Sequence, residues 1–233
     1  MRHIHLEHHS AGASSYLRDT ILGGQDGLVN VLGVILAVAA ATSSVKIVII
    51  AGLAATFAES ISMAAVAYTS TKAQKAHYQK ELQREQWEIK HMPEEERSEV
   101  RDIFYKKGFR GGVLNQIVKH ITTKKKLWLD IMMKEELNLV DDIEAPGKSA
   151  AVVGFSALVG SVIPLIPFLF LPVGDAIIGS LLLSVAVLFV SGAVKARVTV
   201  GNWVRSGAEM AIIGMGAAII GYLIGAGFGV ILA

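Results

Sequence analysis

IVIIAGLAATFAESISMAAVAYTST, residues 47–71, runs for 25 residues with a single charge, Glu59, near its middle. A hydrocarbon core about 30 Å thick needs about 20 helical residues, so this stretch is long enough to cross a bilayer. Outward from it, residues 27–45, 149–174, 176–194 and 210–233 contain no Asp, Glu, Lys or Arg at all. Together these five runs predict an all-α integral membrane protein with five transmembrane helices. A carboxylate in mid-span is costly and marks a functional position.

The remaining charge is concentrated. Of the 233 residues, the 77 from 72 to 148 hold 16 of 22 Lys+Arg and 14 of 20 Asp+Glu. That block is nearly neutral, which speaks against a nucleic-acid-binding surface. The absence of cysteine excludes disulfides, thiolate metal sites and cysteine nucleophiles. The N-terminal MRHIHLEHHSAGASSYLRD lacks the apolar core of a signal peptide, so the first span is expected to direct insertion. Arg2 and Arg18 precede that span, and Lys195, Arg197 and Arg205 follow the fourth. The other two loops together hold one basic residue, Lys46. Basic residues stay in the cytoplasm, which predicts a cytoplasmic N-terminus and block 72–148, and an outside C-terminus. A prokaryotic cell membrane is the expected location, with a vacuolar-type membrane as the other.

The chain divides into a tail (1–19), spans one and two (20–71), the charged block (72–148) and spans three to five (149–233). Span one follows Gly23-Gly24, with Asp26 near its cytoplasmic entrance. Span two has no break signal, which predicts one long helix reaching about His91. Pro93 ends it and starts another, running to about Lys107. Gly108, Gly111 and Gly112 predict a flexible turn. A third helical segment ends in KKKLWLDIMMKEELNLV, and Pro146-Gly147 closes the block. Pro164, Pro167 and Pro172 predict a kink in span three, whose freed carbonyls need partners. Gly221, Gly225 and Gly229 are small residues at close-approach spacing, consistent with either an intramolecular contact or a dimer seam.

Glu59 and Met63 are four apart and share one helix face. A carboxylate beside a thioether suits a divalent transition ion better than Ca²⁺ or Mg²⁺. Each also has a plainer reading: Met63 as core filling, Glu59 as a protonated packing residue, Asp26 as a helix-entry residue. In the block, Glu85 and Glu88 are three apart, as are Glu96 and Glu99 across the Pro93 break. Met132 and Met133 lie one turn before Glu136. Three such faces meeting would form a cage of carboxylates and thioethers, related to carboxylate metal bundles. A solvated charged helix explains any single pair equally well, and the methionines could face a small core. His3, His5, His8 and His9 could capture metal or form an ordinary tail. Lys124, Lys125 and Lys126 before Trp128 suit anionic headgroups or a solvated helix start. No phosphate-binding glycine motif, HExxH or nucleophile–base pair is present, so a hydrolase or ATP-driven pump is not expected.

ILGGQDGLVN (21–30), AESISMAAVAYTSTKAQ (58–74), HYQKELQREQWEI (77–89), PEEERSEV (93–100), LWLDIMMKEELNL (127–139) and IPLIPF (163–168) resemble, in order, successive motifs of the vacuolar iron transporters. The resemblance implies a homodimer of five-helix subunits moving Fe²⁺, and often Mn²⁺, out of the cytosol in exchange for protons. It implies a membrane pathway through Asp26 and Met63. It also implies a cytoplasmic metal-binding domain using Glu85, Glu88, Glu96, Glu99, Met132, Met133 and Glu136. One departure stands out: many members carry a glutamate eight residues before the ISM methionine, where this chain has Ala55. Glu59 therefore inherits no role from the resemblance and rests on its geometry with Met63.

The expectation is proton-coupled export of Fe²⁺, and possibly of Mn²⁺ or another transition dication, with no permanently bound cofactor. Asp26, Glu59 and Met63 would form the membrane pathway. A membrane-anchored metal-binding or storage scaffold without a transport cycle is the alternative.

Overall fold

A computed structural model describes residues 11–141, 143–199 and 201–232, with side chains described between residues 15 and 227. The histidines at 3, 5, 8 and 9 lie outside the described residues. Among the described residues the chain is helical, with no strand. The helices are α1 (Ala11–Ala41), α2 (Val45–His91), α3 (Pro93–Lys106), α4 (Gly111–Thr123), α5 (Lys125–Ile131), α6 (Pro146–Val162), α7 (Val173–Val198) and α8 (Trp203–Leu232). A π turn, Met132–Glu136, continues α5, and a 3₁₀ segment, Ile163–Leu169, continues α6. Five helical stretches are long and apolar enough to cross a membrane: Ser15–Ala41, α2, Pro146–Leu169, α7 and Trp203–Gly227. The chain forms two compact units, one of residues 70–143 and the other of the residues on either side of it.

In the apolar unit α1 is the central helix. Val31, Leu32, Ile35, Leu36 and Ala39 pack with Val48, Leu165, Phe168, Ala176 and Ala218 in one buried core. Lipid is as apolar as these side chains, so helices in a membrane associate through close packing of small residues. A Cβ added to Gly23 would lie 2.3 Å from the Val153 carbonyl oxygen, and one on Gly160 would lie 2.1 Å from that of Gly24. Gly23 and Gly24 are therefore packing residues inside α1 rather than a break before it. The helix begins at Ala11, so Asp26 lies about four turns in. Gly221 and Gly225 approach Gly33 and Ala37 of α1 in the same way, so these two make an intramolecular contact; Gly229 lies outside the residues whose side chains are described.

Polar links also tie the helices together. Ser149 Oγ donates to Asp19 Oδ2 at 2.6 Å, and the Arg18 guanidinium holds Oδ1 at 3.0 Å. Span three passes from α-helix to a tighter 3₁₀ segment at Ile163. Pro167 has no N–H to give the Pro164 carbonyl, which instead accepts from Ser180 Oγ of α7 at 2.6 Å.

In the polar unit, α2 ends at His91 and α3 starts on Pro93, as the proline requires. α3 ends in a Schellman motif. Gly108, at φ 98°, donates to the Tyr105 carbonyl, Phe109 donates to that of Phe104, and the two phenyl rings lie 6.0 Å apart. Gly111 and Gly112 open α4 instead of extending the turn. The third helical segment breaks at Lys124 and ends early, with Asn138 at φ 54° stopping it before Leu139. Ile89, Val100, Ile121, Trp128 and Met132 form the core of this unit.

Candidate metal site

Glu85 and Glu88 project from the last turns of α2, and Glu96 from the start of α3. One carboxylate oxygen from each lies within 4.8 Å of the other two. The turn at Met92–Pro93 brings the two helices together, and the free N–H groups at the start of α3 favour negative charge there. Glu85 is 1% exposed and Glu96 4%. The Oε2 atom of each is buried with no hydrogen-bond partner among the described residues. Two orphaned carboxylate oxygens facing a third acid need a proton or a cation.

Electrostatics widens the group to five acids. Burial, then the charges of Glu136 and Glu88, pushes Glu85 up to about 7. Burial, then Glu85 and Glu99, pushes Glu96 up to about 8. Glu136 reaches solvent, yet partial desolvation of its carboxyl and the charge of the neighbouring Glu99 raise it too. Glu99 is exposed. The sequence-predicted glutamates thus gather, three closely and two at the solvent side.

The methionines divide. Met132 is fully buried in the core with Ile89, Val100 and Trp128, which is the packing role. Met133 is 2% exposed and stands outside that core cluster. Both lie in the π turn, where Leu137 N–H reaches back to the Met132 carbonyl at 3.2 Å. Such turns concentrate at functional sites, and nothing in the composition of MMKEE announces one.

Sequence reasoning missed Arg84. Its guanidinium contacts Glu81 at 2.9 Å, Glu88 at 3.3 Å and Glu85 at 3.6 Å, a built-in counter-cation beside the cluster. The signal was present, because Arg84 lies three residues after Glu81 and four before Glu88, the spacings of facing helix neighbours.

In the apolar unit, Glu59 of α2 lies beside Asp26 and Asn30 of α1. Asp26, Glu59 and Met63 are all half-buried. Asn30, one turn beyond Asp26 on the same face, was not singled out from the sequence; an amide within an apolar run was the available cue. Thr56 and Ser60, on the same part of α2, donate their hydroxyls to carbonyls of their own helix at 2.8 and 2.7 Å.

The VIT family model matches residues 17–226. The chain is 34% identical over 224 residues to vacuolar iron transporter 1 of Tulipa gesneriana, covering 94% of this chain and 89% of that protein. It is 33% identical to vacuolar iron transporter 1 of Arabidopsis thaliana, covering 90% and 86%. To the vacuolar iron transporter of Toxoplasma gondii it is 29% identical, covering 95% and 77%.

Proposed function

The chain belongs to the VIT family, whose members are transporters and not enzymes, and we propose that it exports Fe²⁺, with Mn²⁺ as a second substrate, from the cytosol in exchange for protons. The observation that carries this reading is the convergence of Glu85, Glu88 and Glu96 on one point, with buried, unpartnered oxygens. Carboxylate oxygens, with the Met133 thioether three residues before Glu136, suit a borderline dication. The reading places residues 70–143 and the N-terminus in the cytoplasm, where the glutamates collect the ion. Asp26, Glu59 and Met63 then accept it within the membrane.

Two carboxyls side by side favour a positive charge between them, either a proton or a metal ion. Exchange of one for the other at Asp26 and Glu59 couples the two fluxes. Protons entering from the far side release the ion, and reset returns them to the cytosol. The pairing also favours transport over a metal-storage scaffold, which has no use for acids in its spans. The working unit is a homodimer, in either a prokaryotic cell membrane or a vacuolar-type membrane.

Reconstituted vesicles test this directly. Wild-type protein takes up Fe²⁺, and Asp26→Ala and Met63→Ala lower the rate at least about tenfold, a change of about 1.4 kcal/mol in the barrier. Normal flux through both variants would refute the pathway.

A further inference from the structure

A crevice between α1, α6 and α7 plays no part in the proposed metal route. Its volume is about 910 Å³, near the upper end for a small-molecule site. Phe155 and Val159 of α6 and Val190 and Val194 of α7 line it, and Thr20 and Gln25 of α1 add polar side chains. Phe155 and Val190 are more than half exposed, so the crevice opens sideways, where lipid surrounds a membrane protein.

One end of the crevice is basic. Lys148 lies one turn before Val152 on the same face of α6, and Lys195 and Arg197 follow Ser191 and Val194 on the same face of α7. Arg18 precedes Ile21 by three residues on α1. Gly23 approaches Val153 and Gly27 approaches Ala157, so α1 and α6 run parallel. Gly192 and Gly207 pack α7 against α8 in the opposite sense. The starts of α1, α6 and α8 and the end of α7 therefore share one side of this unit. Arg197 lies 6.0 Å from the Trp203 ring, and tryptophan characteristically sits at headgroup depth. Among the described residues, Lys148, Lys195 and Arg205 have no ion-pair partner. The acids at this end are Asp19, occupied by Arg18 and Ser149, Glu144 and Glu209, against five cations.

We infer that this crevice binds an anionic phospholipid, with an acyl chain between α6 and α7 and the phosphate at Lys148 and Lys195. Any lipid could fill the apolar part, because a hydrocarbon chain gains little by leaving one apolar environment for another. The unpaired cations supply the selection, as basic pockets between transmembrane helices do for acidic headgroups. This inference rests on the membrane-spanning character of the unit and not on metal transport, so its failure would leave the flux experiment untouched.

The test is native mass spectrometry of the full chain after incubation with equal amounts of phosphatidylglycerol and phosphatidylcholine of identical acyl chains. Wild-type protein retains phosphatidylglycerol over phosphatidylcholine by about tenfold or more. Lys148→Gln with Lys195→Gln brings the preference below about threefold without changing retention of phosphatidylcholine. Val190→Trp, or Val194→Trp should the former fail to fold, fills the crevice and removes the adduct of both lipids. Equal retention of the two lipids by wild type, which is the annular-lipid outcome, would overturn the inference. So would an undiminished preference in the double lysine variant, or full adducts in the folded tryptophan variant.

Discussion

Glu96 and Glu85 are held above the ordinary carboxyl range, at about 8 and about 7, by burial and by each other's neighbours. Below these values the acids carry protons that a dication must displace, so affinity rises with pH up to about 8 and levels above it. Calorimetric Mn²⁺ titration in buffers of different ionisation heat checks both the rise and the released protons. Stability of the metal-free protein runs the other way. A raised folded pKa means that the native state keeps protons the unfolded chain has lost. The contribution is thus complete below about pH 4.5 and is lost as pH climbs through 7 to 8. The melting temperature without metal should fall between pH 6 and pH 8.5, and added Mn²⁺ should restore it at pH 8.5. Glu96→Gln leaves the site a ligand short and weakens Mn²⁺ binding at least about tenfold. Arg84→Gln has the opposite sign: it removes a cation that occupies Glu81, Glu85 and Glu88, so the ion binds more tightly. Weaker binding in this variant would show that Arg84 shapes the cluster rather than competing for it.

Glycines at helix crossings carry the element-scale predictions. Gly160→Val places carbon where the Gly24 carbonyl stands, 2.1 Å away, and forces α1 and α6 apart. Gly216→Ala meets nothing within 4 Å and is the control. Thermal unfolding in detergent should show a large drop for the first and almost none for the second. In the polar unit, Gly108→Ala puts a Cβ at φ 98° and costs about 1 kcal/mol, read from the same melts. The break at Pro93 and the reach of α2 to His91 were legible because a proline ring imposes them locally. Gly23-Gly24 and Gly111-Gly112 misled because glycine's local freedom also permits close helix packing and helix starts, and the partner decides which. The π turn at Met132–Glu136 and the break at Lys124 depend on how the third segment packs, which no single residue type encodes.

Across the whole molecule, the partition of charge is what made the architecture readable: five charge-poor runs and one charged block leave few arrangements. The membrane acids were legible because any carboxylate in an apolar run stands out, and Asn30 was not because an amide is less conspicuous. The glutamate cluster was legible only as pairs, since spacing on a helix fixes a face but not what that face meets. Met132 shows the cost of that gap, having the right spacing and a place in the core. The claim that the two acidic sets serve one proton-driven metal route is tested most directly by recording Fe²⁺ uptake and internal pH together in reconstituted vesicles under an imposed pH gradient. An acidic interior should accelerate uptake, and each burst of Fe²⁺ should alkalinise the lumen, with both responses lost in Asp26→Ala. Uptake at the same rate with and without the gradient, or uptake with no change in internal pH, would contradict it.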